Sequence, residues 1–260
     1  MLHDIVEYKR IEVREKIASF SIAQLELRAA QARPVREFGA ALRRPGASII
    51  AEVKYRSPSK GILRSDFDPA TLAHAYQLGG ARAISVLADS RFFGGGPFVV
   101  GQIANDAGVA LPVMYKDFIV SEYQILEARA VGADAVLIIA RIISEQTLAA
   151  LLKLAAALGM EVLVETFDEN DIDMALACGA AIVGINNRDL DTFKTDFART
   201  ERLFRRLPDG VVSISESGIA SHQDMLAMAA IGFDGALIGE TILQAQHPTA
   251  MIRQLCGDAS

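Results

Sequence analysis

The 260-residue sequence contains little cysteine and little histidine, and several common catalytic motifs are absent from it. Its two cysteines, Cys178 and Cys256, lie far apart, so the chain fits neither a disulfide framework nor a zinc site, and we expect a cytoplasmic protein. The four histidines are scattered and form no H-E-x-x-H motif, so we expect no catalytic metal. Neither a P-loop nor a G-x-S-x-G nucleophile elbow occurs.

Long hydrophobic runs are also missing. The longest stretches without a charged residue, 92–105 and 174–187, are shorter than a membrane span and contain glycine, and the N-terminus lacks an apolar signal core. The net charge of -6 argues against nucleic acid or an anionic membrane as the main partner, although a small anion is still compatible with a local basic pocket. With 51% hydrophobic and 22% charged residues, the composition is typical of a globular protein.

What the sequence does contain is one pattern repeated from Ile49 onward: an apolar helix, a glycine with a small residue, and a short β-type run without polar alternation. The pattern is clearest at the junctions that begin at Gly79, Gly132, Gly159, Gly179 and Gly232. Glycine supplies a left-handed helix cap, and uninterrupted Val, Ile and Leu runs are typical of parallel strands that are covered on both faces. Three further runs, 48–53, 111–115 and 211–215, bring the number of strands to eight.

Eight such units predict an α/β fold, a (β/α)8 TIM barrel. A doubly wound open sheet is the alternative, but Gly94-Gly-Gly-Pro does not continue as the G-x-G-x-x-G fingerprint of that fold. Residues 1–47 precede the first strand and carry apolar residues at helical spacing among alternating charges. We expect an N-terminal helical extension over 1–47, packed on a catalytic barrel over 48–260, with the charges of the extension facing solvent.

Charged and small residues follow most of the predicted strands, and in such barrels the chemistry lies at the carboxyl ends of the strands. The strands end, in chain order, on Glu52 with Lys54, Lys116, Glu165, Asn186 with Arg188, Glu216 with Ser217 and Gly218, and Gly239 with Glu240. Two lysines and three glutamates directed at one opening are a costly way to hold a fold together, because desolvation often cancels the attraction within an ion pair. The pattern therefore favours a catalytic pocket over a structural network of ion pairs.

The last two strand ends offer small residues and free backbone N–H groups, which are typical of a phosphate site in this fold. Together with Lys54, they predict an anionic, phosphorylated substrate. A Schiff base on Lys54 or Lys116 stays open from the residues alone, since a desolvated lysine serves either as an acid or as an amine nucleophile.

In these motifs the sequence resembles the indole-3-glycerol phosphate synthase family. The likeness runs from Asp4 to Gly239, and it includes the segments A51-E-V-K, S57-P-S-K-G, F92-F-G-G, K116-D-F-I, G184-I-N-N-R-D-L and E216-S-G-I. The resemblance implies ring closure of 1-(2-carboxyphenylamino)-1-deoxyribulose 5-phosphate, with loss of carbon dioxide and water, in tryptophan biosynthesis. That reaction needs no cofactor, and its partner is a small phosphorylated aromatic substrate.

The resemblance also implies a role for each site residue. Lys116 is the general acid for condensation, with a pKa that we expect partial desolvation to lower, and Glu165 serves the dehydration as acid or base. Glu52 and Lys54 form a coupled acid/base and orienting pair, while Asn186 and Glu216 position the substrate. The remaining substrate contacts implied are Ser57, Pro58, Phe93, Phe118, Leu137, Arg188 and Ser217. The phosphate contacts implied are Lys54, Ser217, Gly218, Gly239 and Glu240.

The sequence departs from the family's usual residues at four positions outside this acid/base set: Gly96, Tyr115, Thr166 and Phe167. These departures leave room for a paralogue that acts on a substituted anthranilate in a specialised pathway. A phosphoribosyl-amine isomerase is a further alternative, which the Glu52-Val-Lys54 and Lys116-Asp-Phe118 segments disfavour. A non-catalytic ligand-binding barrel is another, which the presence of Lys116 and Glu165 disfavours. We expect a monomer or a weak homodimer.

Overall fold

Eight parallel strands form a closed barrel in the computed structural model, which describes residues 2–43, 46, 48–58, 60–64, 66–188 and 197–258. The strands are β1 (Ser48–Val53), β2 (Ala83–Leu87), β3 (Val113–Lys116), β4 (Ala135–Ile139), β5 (Glu161–Thr166), β6 (Ile182–Asn186), β7 (Val212–Glu216) and β8 (Gly235–Ile238). Strand β1 pairs with both β2 and β8, with Ser48 opposite Gly235. This closure confirms the predicted (β/α)8 barrel and excludes the doubly wound open sheet.

Helices precede and surround the barrel. They are α1 (Leu2–Ser19), α2 (Ile22–Gln31), α3 (Phe38–Leu42), α4 (Pro69–Gly79), α5 (Pro97–Ala104), α6 (Glu122–Ala130), α7 (Glu145–Ala157), α8 (Glu169–Ala177), α9 (Phe197–Phe204), α10 (His222–Ile231), α11 (Glu240–Gln244) and α12 (Pro248–Cys256). A 3₁₀ turn, Ala140–Ile142, follows β4, and a hairpin of two-residue strands, Arg56–Ser57 and Gly61–Ile62, follows β1. Among the described residues, every helix is too short or too polar to cross a lipid bilayer.

Side-chain caps and glycine define the ends of several helices. Asp68 accepts a hydrogen bond from the backbone N–H of Thr71 at the start of α4, and Ser221 and Asp224 form a reciprocal capping box at the start of α10. At the other end of these helices, Gly80 and Gly232 adopt positive φ angles of 95° and 118°. Glycine adopts this left-handed conformation without steric cost, so each helix ends and the chain turns back into the next strand.

The strands carry two apolar cores because successive side chains point to opposite faces. Ile49 and Tyr115 belong to the large core between strands and helices, whereas Ile50 and Met114 belong to the smaller core inside the barrel. Both faces of each strand are therefore covered, which explains why the sequence runs lack polar alternation.

The N-terminal extension covers both ends of the barrel. Helix α3 lies at the amino ends of the strands, where the backbone N–H of Gly39 donates to Glu161 (2.7 Å) at the start of β5. Helix α1 lies at the carboxyl ends, where its Lys9 reaches Asp89 (2.8 Å) and Asp117 (3.0 Å), beyond β2 and β3.

The expectation that the charges of this extension face solvent is wrong for Lys9, whose side chain is only 1% exposed. Lys9 lies on the apolar side of α1 because three carboxylates there pair with its ammonium group, and such pairing offsets the cost of burial.

Candidate active site

The carboxyl ends of the strands open into two adjoining cavities, which share Glu52, Lys54, Lys116, Arg188 and Ser217. The first cavity, of about 970 Å³, is lined mainly by apolar side chains, and the second, of about 720 Å³, is lined by small and charged residues. Such an apolar cavity with a few convergent polar groups is the usual form of a small-molecule site. Every site residue predicted from the sequence lines one or both cavities.

Glu52 occupies the centre of this arrangement. Its carboxylate pairs with the ammonium group of Lys54, two residues further along β1, and lies 3.1 Å from the Nζ atom of Lys116 on β3. Burial alone raises the pKa of a carboxyl group, but the charges of Lys54 and Lys116 outweigh it here and lower the pKa of Glu52 to about 2. Glu52 is therefore a carboxylate throughout the neutral range, and the predicted contact with Lys54 is present.

Lys116 faces three carboxyl groups. Desolvation lowers its pKa, but the charges of Glu52, Glu216 and Glu165 raise it by more, so the pKa of Lys116 lies above its ordinary value. The expected lowering of this pKa is therefore wrong for the protein without substrate, because the sequence does not give the number of carboxyl groups that surround the ammonium group. Lys116 is a full cation near neutral pH.

Glu216 and Glu165 form a second carboxyl pair. Both are buried, and among the described residues no group donates a hydrogen bond to either carboxyl oxygen of Glu216. Burial and the negative charge of Glu165 raise the pKa of Glu216 well above its ordinary value, against the opposing charge of Lys116 at 3.9 Å. Glu216 therefore keeps its proton to higher pH than an ordinary carboxyl group, so the pair of carboxyl groups can store a proton beside the cavity.

Two glycines make room for these carboxyl groups. A β-carbon at Gly184 on β6 would overlap the Oε1 atom of Glu216, and one at Gly239, just after β8, would overlap the Oε1 atom of Glu52. Any larger residue at either position would require the glutamate carboxyl group to shift.

The second cavity has the geometry of an anion site. Ser217 and Gly218 adopt successive positive φ angles of 67° and 85°, and Ser217 is the only described residue other than glycine with a positive φ. Asn187 fixes this turn by donating to the backbone carbonyl of Ser217 (2.8 Å). Both residues line the second cavity, and the free backbone N–H groups of such a tight turn suit an anion such as phosphate.

Charged side chains border the same cavity. The carboxylate of Glu240 pairs with Lys60 and lies 3.7 Å from Arg188, so its negative charge is balanced by these cations. The neighbouring Asn186, at the end of β6, accepts a hydrogen bond from the backbone N–H of Arg188 (3.0 Å) and thereby fixes the start of the loop.

The apolar cavity has aromatic walls. The rings of Phe93 and Phe118 lie 6.0 Å apart between centroids, and Ser57, Pro58 and Leu137 complete the predicted set. The sequence reasoning missed four apolar residues that also line this cavity: Leu2, Ile5, Leu87 and Ile139. Leu2 and Ile5 were visible as part of an apolar helical face, but periodicity does not say what such a face contacts.

Three of the positions that depart from the family's usual residues have partners outside the cavities. The hydroxyl group of Tyr115 donates to Glu127 (2.8 Å), and the guanidinium group of Arg141 lies 4.1 Å from the ring centre of Phe167. Thr166 donates to the backbone carbonyl of Gly184 (2.8 Å). The first contact joins β3 to α6, the second joins the 3₁₀ turn after β4 to the residue that follows β5, and the third joins β5 to β6.

Comparison with known proteins agrees with this site. A family model described as indole-3-glycerol phosphate synthase matches residues 2–255. Indole-3-glycerol phosphate synthase 2 of Streptomyces coelicolor is 49% identical, covering 90% of this chain and 90% of its own length. The indole-3-glycerol phosphate synthases of Roseiflexus sp. (strain RS-1) and Mycolicibacterium smegmatis are 43% and 42% identical, covering 99% and 98% of this chain and 98% and 93% of their own.

Among solved structures, 3-hexulose-6-phosphate synthase from Salmonella typhimurium superimposes with a TM-score of 0.65 at 14% identity, covering 81% of this chain and 97% of its own. At that identity the likeness extends to the barrel fold alone. The match of the family model over nearly the whole sequence and the close relatives together establish that the chain belongs to the indole-3-glycerol phosphate synthase family.

Proposed function

We propose that this protein converts 1-(2-carboxyphenylamino)-1-deoxyribulose 5-phosphate into indole-3-glycerol phosphate, carbon dioxide and water, as a carboxy-lyase of tryptophan biosynthesis. The observation that carries the proposal is the position of Lys116 between the apolar cavity and the anion site, in contact with Glu52 and close to Glu216. A substrate with an aromatic carboxylate at one end and a phosphate at the other places its reacting carbonyl group between the two cavities.

The two ends of the substrate bind through different interactions. The aromatic ring lies between Phe93 and Phe118, where burial of aromatic surface supplies affinity. The phosphate accepts hydrogen bonds from the backbone turn at Ser217 and Gly218, as suits an anion at successive N–H groups. The cations that line both cavities, Lys54 and Arg188, are available for the aromatic carboxylate and the phosphate.

Condensation requires an acid at the ketone. Lys116 donates its proton to the carbonyl oxygen while the ring carbon that bears the carboxylate attacks the carbonyl carbon and forms the new carbon–carbon bond. The bond to the carboxylate then breaks, its electron pair restores the aromatic ring, and carbon dioxide leaves. Glu52 holds the ammonium group at the strand end before the reaction.

Dehydration requires an acid and a base on the same intermediate. Glu165, with the proton stored on its partner Glu216, protonates the departing hydroxyl group, which leaves as water. One proton of the adjacent carbon passes to a carboxylate, the electrons of that C–H bond form the ring double bond, and the N–H bond is kept. The reaction is complete with side-chain acids and bases, so we propose no cofactor and no metal. We further propose a cytoplasmic enzyme that is a monomer or a weak homodimer.

The chain contains no tryptophan, so the product's indole fluorescence can be followed against a background of tyrosine alone. Purified protein mixed with the carboxyphenylamino substrate is expected to produce indole fluorescence and an equal amount of carbon dioxide. A heat-denatured sample is the control. Binding of the substrate without either product would favour a non-catalytic barrel and contradict the proposal.

A further inference from the structure

One fully buried cation lies outside the acid/base set. The ammonium group of Lys9, on α1, lies 2.8 Å from Asp89, 3.0 Å from Asp117 and 2.9 Å from Glu12. The side chains of Asp89 and Asp117 are 0% and 1% exposed, so all three charges of this inner group depend on one another. Removing one member of such a buried group leaves charges without compensation.

The two aspartates also hold the backbone around the aromatic cavity. Asp89 accepts hydrogen bonds from the backbone N–H groups of Phe92 (2.6 Å) and Phe93 (3.1 Å), and Asp117 accepts one from Phe118 (2.8 Å). Phe93 and Phe118 are the two aromatic walls of the cavity.

Helix α1 contributes to the cavity from the same side. Leu2 and Ile5, one to two turns before Lys9, line its wall. Lys9 therefore joins α1 to the segments after both β2 and β3, and Asp117 directly follows Lys116 in the chain.

We propose that Lys9 is a positioning residue for the aromatic half of the active site, acting through Asp89 and Asp117 on Phe93 and Phe118. The inference rests on the proposed function for the identity of the ring that binds there. The anion site at the ends of β7 and β8 has no part in this group of charges, so a loss of Lys9 should affect the two halves of the site unequally.

Lys9→Met tests this, because it keeps much of the apolar stem and removes the charge. The measured quantities are the dissociation constants of anthranilate and of inorganic phosphate, each determined separately by calorimetry. We expect anthranilate to bind at least about tenfold more weakly, the change that corresponds to about 1.4 kcal/mol, and phosphate to bind within about twofold of the parent. The KM of the full substrate should rise accordingly.

Lys16→Met is the matched control. Lys16 is on the same helix and pairs with Glu127 (3.0 Å) and Glu12 (3.2 Å), and within the described part of the chain it forms no ion pair with Asp89 or Asp117. If α1 affects the cavity only by packing on the barrel, with no specific effect of Lys9, the two variants will weaken anthranilate binding equally. That result would overturn the proposal.

Asp89→Asn covers the case in which Lys9→Met does not fold. It keeps an oxygen that accepts from Phe92 and Phe93 and removes one charge facing Lys9, so we expect anthranilate binding to weaken by at least about threefold with phosphate binding unchanged. Unchanged anthranilate binding in this variant would contradict the proposal. The failure of the proposed function is a separate result, namely a parent protein that binds both probes and forms no indole.

Discussion

Replacing Lys116 by methionine tests the central step of the reaction. The substitution keeps an unbranched side chain of similar length and removes the ammonium group, so the barrel and the aromatic cavity should persist. Glu52 retains its pairing with Lys54 in this variant, which limits the charge left without a partner. We expect the dissociation constant of the substrate to stay within about threefold of the parent value.

The size of the catalytic loss follows from the geometry. At 3.1 Å from Glu52, the ammonium group interacts with one full negative charge by about 5 kcal/mol at an effective dielectric constant of about 20. An alkoxide developing at a similar distance would gain at most a comparable amount, which corresponds to a factor of nearly 10⁴ in rate. General acids typically contribute at least about 10²-fold, so the expected loss in turnover lies between about 10² and 10⁴.

Stopped-flow measurement of indole fluorescence gives the single-turnover rate of ring closure, and equilibrium titration gives the affinity. Lys116→Arg separates charge from proton donation, because arginine keeps the cation but does not give up a proton near neutral pH. Lys153→Met, at an exposed position on α7, is the control for removing a positive charge. Ring closure by Lys116→Met at close to the parent rate would refute the assignment and leave Lys54 as the acid.

Four further outcomes are expected. Glu165→Gln should lower turnover by about 10²–10⁴-fold with little change in affinity, and unchanged turnover would transfer the dehydration role to Glu52. Gly239→Ala should displace Glu52 and lower kcat/KM at least about tenfold, whereas Gly101→Ala on α5, where a β-carbon finds only ordinary contacts, should leave it unchanged in the same assay. Burial and the charge of Glu165 raise the pKa of Glu216 in the folded protein above its value in the unfolded chain. As pH rises through the ordinary carboxyl range, the unfolded chain therefore loses this proton first, and the free energy of unfolding falls. Glu216→Gln should therefore raise the melting temperature relative to the parent more at neutral pH than at pH about 4.5, and a pH-independent difference would argue against a buried neutral carboxyl group. Activity should survive dialysis against a chelator, and recovery only on addition of a divalent ion would contradict a reaction that uses side chains alone.

The barrel fold and the residues that line the two cavities could be predicted because both depend on local sequence patterns. Most strands are short and apolar and carry a charged or small residue at or just after their carboxyl end, so the sequence alone assigns Glu52, Lys116 and Glu165 to one end of the barrel. The three strands predicted with explicit bounds differ from the observed ones by at most two residues; for instance, the run predicted over 111–115 forms a strand over Val113–Lys116.

The contribution of α1 was not predictable in the same way. Helical spacing identifies Leu2 and Ile5 as members of an apolar face, but the partner of that face depends on how the extension crosses the barrel. Lys9 was harder still, since a lysine among alternating charges is usually exposed. Its burial depends on Asp89 and Asp117, which are distant in sequence and converge only when β2 and β3 lie side by side.

The charge balance of the site links its two proton-transfer steps. Lys116 stays protonated because carboxyl groups surround it, and Glu216 holds its proton to higher pH than an ordinary carboxyl group because it is buried and Glu165 lies beside it. The pKa values of both groups are therefore raised, although their ordinary values differ widely. A developing alkoxide can take the first proton from the lysine, and a departing hydroxyl group can take the second from the carboxyl pair. On the proposed mechanism, the same cluster of charges prepares one acid for condensation and another for dehydration, and this accounts for three glutamates where a structural ion pair would need one.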